Sequence, residues 1–137
     1  MPFGPAPLGA AAFIAIKFVG YRYAGAYLDE RYNNHRVSVN VFGVARTALG
    51  LLVGITFALL MSHWEINREM LVWFLILLPV RIAEWVATIW FFFERKEPKV
   101  QPARLLKHSV LGAGWSYVLD IPAIAAVFVV PGGMWVC

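Results

Sequence analysis

The chain has 137 residues, of which 61% are hydrophobic and 15% charged, with a mean hydropathy of +0.67. Soluble domains carry about 25% charged residues, and a small soluble core lacks the volume to hide this much apolar surface, so a bilayer is the expected surroundings. The net charge of +4 and pI near 9.5 do not point to nucleic acid, because the basic residues fall between apolar runs, as they do in cytoplasmic loops of membrane proteins.

Residues 1–7 form a Pro/Gly-rich tail. The first apolar run is Leu8 to Leu28. Ala24-Gly25-Ala26 resembles a signal-peptide cleavage site, but Lys17 and Arg22 come inside or after the apolar core instead of before it, so a retained helix is expected. Asp29 to Asn40 is polar and reads as a loop. Val41 to Ser62 is the second run. His63 to Glu69 is a short loop in which Asn67 is placed to cap the next helix. Met70 to Phe93 is the third run. Glu94 to Lys107 is the longest polar segment, interrupted by Pro98 and Pro102, with a helix expected to begin near Ala103. His108 to Val130 is the fourth run, ended by Pro131-Gly132-Gly133.

The runs are 21 to 24 residues long, about 32–36 Å as helix, which suits a hydrocarbon core of roughly 30 Å. They are too long and continuous for barrel strands, which alternate over about ten residues. The expected fold is an all-α integral membrane protein, a single membrane domain over residues 1–137 built as an antiparallel four-transmembrane-helix bundle with spans 8–28, 41–62, 70–93 and 108–130. Outside the spans, Arg31, Arg36, Arg95, Lys96, Lys99, Arg104 and Lys107 fall in the first and third loops, against Arg68 alone elsewhere. That asymmetry puts loops 29–40 and 94–107 in the cytoplasm and both termini outside a plasma (inner) membrane. Trp64, Trp73, Trp90 and Trp135 stand near span ends, as interfacial aromatic belts do.

Six ionisable residues interrupt the runs: Lys17, Arg22, Arg46, Arg81, Glu84 and Asp120. A charge at the centre of a membrane helix costs about 2.5–3.5 kcal/mol on insertion scales, so such residues face the bundle interior or water and usually pair. Arg22 and Arg46 lie close enough to a cytoplasmic end to reach lipid phosphates. Lys17, Arg81, Glu84 and Asp120 lie near the midplane, roughly 15 Å from water at 1.5 Å per residue. Arg81 and Glu84 are three apart and share a face, which Thr88 continues. Ser116 and Tyr117 precede Asp120 by one turn, and Tyr21 follows Lys17 by one turn. The expected arrangement is an interlocked layer in which Asp120 meets Arg81 or Lys17 across helices. Pro79 and Pro122 fall at the same depth and free the carbonyls of Leu75 and Val118. Such breaks expose backbone to ligands in transporters, or are kinks satisfied by neighbours. In the second run Gly50 and Gly54 form a small-xxx-small pattern, a face for close helix packing or for a homodimer.

Cys137 is the only cysteine and the last residue, which excludes a disulfide within the chain, a CxxC pair and a cysteine zinc site, and it is misplaced for a prenylation box. No histidine lies inside a span, so no haem, metal or other cofactor is expected. GxSxG and P-loop motifs are absent. Three functions accommodate the midplane charges. The first is transport or binding of a small anionic solute, with Lys17, Arg81, Glu84, Asp120, Tyr21, Thr88, Ser116 and Tyr117 lining the site. The second is a structural or accessory subunit of a membrane complex, whose ion pairs fix helix register. The third is a membrane enzyme acting on a lipid or isoprenoid, with Glu84 and Asp120 as acid and base and Arg22 and Arg46 on a phosphate. A catalytic motif is lacking, which places the enzyme last. A water-reachable cavity lined by the midplane charges favours the first or third, and a dry, paired network the second.

Overall fold

Four helices follow one another along the chain: α1 (Pro7–Tyr32), α2 (Val39–His63), α3 (Met70–Ile89) and α4 (Pro102–Val129), with a π-helical turn at Trp90–Glu94 continuing α3. They are seen in a computed structural model, which describes residues 7–33, 37–63, 70–95, 99 and 101–129. The expected Asn67 cap, the Pro131-Gly132-Gly133 stop, His35, Trp64 and Trp135 lie outside the described residues, as does the side chain of Trp73.

Helix boundaries follow local chemistry more than the apolar runs do. α1 continues one turn past Leu28 into the segment read as loop and stops at Asn33, which takes φ 50°, the left-handed conformation that asparagine tolerates at a helix C-terminus. α2 opens with the Phe42 amide donating to the Ser38 carbonyl at 3.0 Å. Pro102 does not break α4 but begins it. The Leu105 amide donates to the Gln101 carbonyl at 2.9 Å, so Pro102 occupies the first helical position, where its missing N–H is no loss.

The helices form an antiparallel bundle. α1 packs on α2 and α4, α3 packs on α4, and α2 meets α3 more sparingly. Two glycines set the closest approaches to α4. A Cβ at Gly112 would fall 2.3 Å from Trp85 Cδ2, and one at Gly20 would fall 2.3 Å from Leu119 Cδ2. Toward the ends of α1 and α3 the core is aromatic. Phe93 lies 5.3 Å from Tyr32 and 5.6 Å from Phe42, and Phe42 lies 6.2 Å from Trp85, all between ring centroids.

Apolar side chains occur outside as well as inside, and charges occur inside. Large apolar side chains on all four helices, among them Val19, Val44, Leu52, Leu75, Phe91, Leu111 and Ile121, are exposed. Lys17, Arg46, Arg81 and Asp120 are buried. Among the described residues, Val39–Phe57 and Leu75–Glu94 are long and apolar enough to cross a membrane. Pro79 and Pro122 lie on the exposed outer face, and the helix runs through each of them. Both expected midplane breaks are therefore continuous helix facing outward and do not open into the core.

Candidate functional site: a buried charge layer and a lateral crevice

The polar centre of the bundle is built from all four helices. Asp120 of α4 receives two cations. Lys17 of α1 is paired with one carboxylate oxygen, and Arg81 Nη2 of α3 donates to the other at 2.7 Å. Each of the three residues is only 2% exposed. Lys17 Nζ also donates to the Ser116 carbonyl at 3.3 Å. The Ser116 hydroxyl accepts from Trp85 Nε1 at 2.9 Å and lies 3.3 Å from the Tyr21 hydroxyl. Arg81 sits over the ring of Tyr117 at 4.8 Å. The bonds at Asp120 thus tie α1, α3 and α4 together at one level.

Glu84 belongs to a second pair. Its neighbour in sequence, Arg81, is engaged with Asp120, and Glu84 accepts instead from Arg46 Nη2 of α2 at 2.6 Å. The expectation that Arg46 reaches outward to lipid phosphates is overturned by its burial, which is complete. Its guanidinium lies 5.0 Å from the Tyr21 ring and 4.9 Å from the Trp85 ring. Gly50 stands beside it, where a Cβ would come 3.4 Å from Nη1. Gly54 is buried within the chain itself. Thr88, on the same stripe as Glu84, donates to the Glu84 carbonyl at 2.7 Å and adds no polar group to the layer. Arg22 is exposed and stands apart from both pairs.

Sequence spacing brought Lys17, Tyr21, Arg81, Ser116, Tyr117 and Asp120 together correctly. It missed Arg46 as a member of the layer, so the balance of two cations and two anions becomes three against two. Two aromatic faces offset the extra cation, since a guanidinium over a ring gains roughly 0.5–2 kcal/mol depending on desolvation. Trp85 was legible only as an apolar position. Its indole links both ion clusters, with its N–H on Ser116 and its face on Arg46.

A further polar cluster closes the end of the bundle where α1 stops and α4 starts. Glu94, in the π turn, is fully buried. It accepts from the Gln101 amide at 3.2 Å, and Arg104 Nε lies 3.5 Å from its other oxygen. A carboxylate at the start of α4 is also favoured by the helix dipole. Arg104 lies over the Tyr32 ring at 4.0 Å, and Tyr32 is 5.4 Å from the His108 ring. Burial first, and then the Glu94 carboxylate, push the Tyr32 hydroxyl up to about 12. Sequence reading placed Glu94 at the start of a polar loop. No pattern of α-helical period marks it as internal.

A crevice of about 400 Å³ runs between α1 and α4. Tyr27 and Leu28 form one wall, His108, Gly112 and Trp115 the other, and Trp85 the floor. Lys17, Arg81, Glu84 and Asp120 do not line it. At one end Trp115 Nε1 donates to the Gly20 carbonyl at 2.9 Å; at the other, Arg104 covers Tyr32. No known protein-family model matches the chain, and no curated protein or solved structure matches it either.

Proposed function

We propose that this chain is an integral membrane protein acting as a structural or accessory subunit, its buried ion pairs locking four helices into one register. Two stretches long and apolar enough to span a bilayer support the membrane part. The same length and apolarity suit a soluble core helix, but a soluble bundle would turn polar faces outward. Here large apolar side chains are exposed on every helix while Lys17, Arg46, Arg81 and Asp120 are buried, a distribution that suits low-dielectric surroundings. The seven-to-one excess of Lys and Arg in loops 1 and 3 orients those loops to the cytoplasm and both termini outside.

The observation that carries the subunit role is that each carboxylate of the charge layer is already paired with a cation. Asp120 is occupied by Lys17 and Arg81, Glu84 by Arg46, and the three members around Asp120 are 2% exposed. A translocation site needs its coupling carboxylate to be reached from water, and an enzyme needs its acid and base beside the substrate. The crevice wall carries no carboxylate.

The test is a pair of measurements on protein in liposomes. Flotation with the vesicles, resisting alkaline carbonate, is expected. Proton and small-anion flux is expected to stay at the level of protein-free vesicles. Flux above that level, abolished by Glu84→Gln in a protein that still folds, would replace the subunit role by transport.

A further inference from the structure

The crevice between α1 and α4 has features that a gap between helices does not need. Its volume of about 400 Å³ falls in the range of ligand pockets, roughly 300–1,000 Å³. It is held open, because α1 and α4 are fastened on both sides of it, by Trp115 on Gly20 and by Arg104 on Tyr32. Its floor is a ring: Gly112 lets Trp85 approach so closely that any side chain there would collide with the indole. The walls are almost wholly apolar and aromatic.

One end of this apolar slot is basic. Arg31 lies over the ring of Tyr27 at 5.3 Å. Lys107 directly precedes His108, which lines the slot, and Arg104 stands one turn before it on α4. Arg104 is engaged with Glu94, whereas the side chains of Arg31 and Lys107 are exposed. In the membrane placement proposed above, on which this inference rests, Tyr27 and His108 stand where spans 8–28 and 108–130 reach the cytoplasmic interface. From Lys107 the slot runs inward to Trp115, about 12 Å along the helix. An apolar channel entered from the side, with cations at the headgroup level, is complementary to one kind of molecule.

We propose that the α1/α4 crevice is a binding site for an acidic phospholipid, its acyl chain lying along Leu111, Gly112 and Trp115 over the Trp85 indole and its phosphate received by Arg31 and Lys107. The charge at the mouth selects the headgroup, and the fastened helices provide the cavity before the lipid arrives. Arg22 and Arg46, the cations that sequence alone assigned to lipid phosphates, take no part in it.

The probe is spin-labelled phosphatidylglycerol against spin-labelled phosphatidylcholine, in phosphatidylcholine vesicles containing the full chain. A motionally restricted population is expected to favour phosphatidylglycerol by about fivefold for each of the two cations, falling with added salt. Arg31→Gln with Lys107→Gln is expected to bring the two lipids level without changing the fold, as both side chains are exposed. Ala24→Phe, which puts a ring into the slot, is expected to reduce restriction of both. Should Ala24→Phe fail to fold, the double charge variant decides alone. Equal restriction of the two lipids by wild-type protein that floats with the vesicles overturns the proposal, as does selectivity surviving in the double variant. Protein that fails to float overturns the membrane placement and the lipid site with it.

Discussion

The charge layer and the α1/α4 crevice share one tryptophan, Trp85, and follow opposite rules. The layer holds three cations and two anions, paired with one another and buried except at Glu84, which is partly exposed. The crevice is apolar and open. Trp85 closes the first with its N–H and one aromatic face and floors the second. Charge in an apolar run marks where a chain must pair, and open space marks where something else can enter. Among the described residues, the charge layer and this crevice do not coincide.

The largest effect should come from breaking the layer. Asp120→Asn leaves Lys17 and Arg81 buried without their anion, a loss expected to cost about 3–5 kcal/mol. Denaturant or thermal unfolding in micelles measures it, and a cost below about 1 kcal/mol would mean that water reaches the layer. Glu84→Gln should cost less, about 1.5–3 kcal/mol, because Tyr21 and Trp85 still face the Arg46 guanidinium. A loss as large as that of Asp120→Asn would show the rings contribute little. Trp85→Phe removes the bond to Ser116 and should cost about 1 kcal/mol, while leaving the crevice floor aromatic. It sharpens the comparison by loosening the layer and sparing the lipid preference, read from the same vesicles. The smallest effect is alkaline. Tyr32 ionises near 10 when unfolded and at about 12 when folded. The unfolded state therefore gives up its proton first, and stability falls as pH rises from 10 toward 12. Tyr32→Phe should flatten that slope, measured by unfolding across the interval.

Much of the bundle was legible because apolar runs of 21 to 24 residues leave few options, and i, i+3 and i, i+4 spacing fixes shared faces. That reasoning correctly gathered Lys17, Tyr21, Ser116 and Asp120. It left the partner of Glu84 open, since sharing a face with Arg81 does not decide which helix supplies the nearer partner. It misread Arg46 because distance from the end of a run says nothing about direction around the helix. The helix ends were blurred for another reason: Asp29–Tyr32 and Pro102–Lys107 are polar in sequence yet helical, since these segments pack against each other at the basic end. The crevice had no signature at all, because a gap between two helices depends on glycines and rings that only the fold brings face to face.

The turn at Trp90–Glu94 has a consequence for how the two ends of α3 are phased. Its Arg95 amide donates to the Trp90 carbonyl five residues back, at 2.8 Å, so the helix absorbs one residue more than an α turn would. In an α-helix each residue advances about 100° around the axis. Straightening this turn would swing Glu94 by about that angle, away from Gln101 and Arg104. The bulge thus acts as an angular offset between the stripe carrying Arg81 and Trp85 and the stripe carrying Glu94, letting one helix serve two polar clusters that a uniform pitch could not both reach. Removing one residue from Phe91–Phe93 should leave Glu94 in place with the offset gone, whereas adding one should turn its carboxylate away from Gln101 and Arg104.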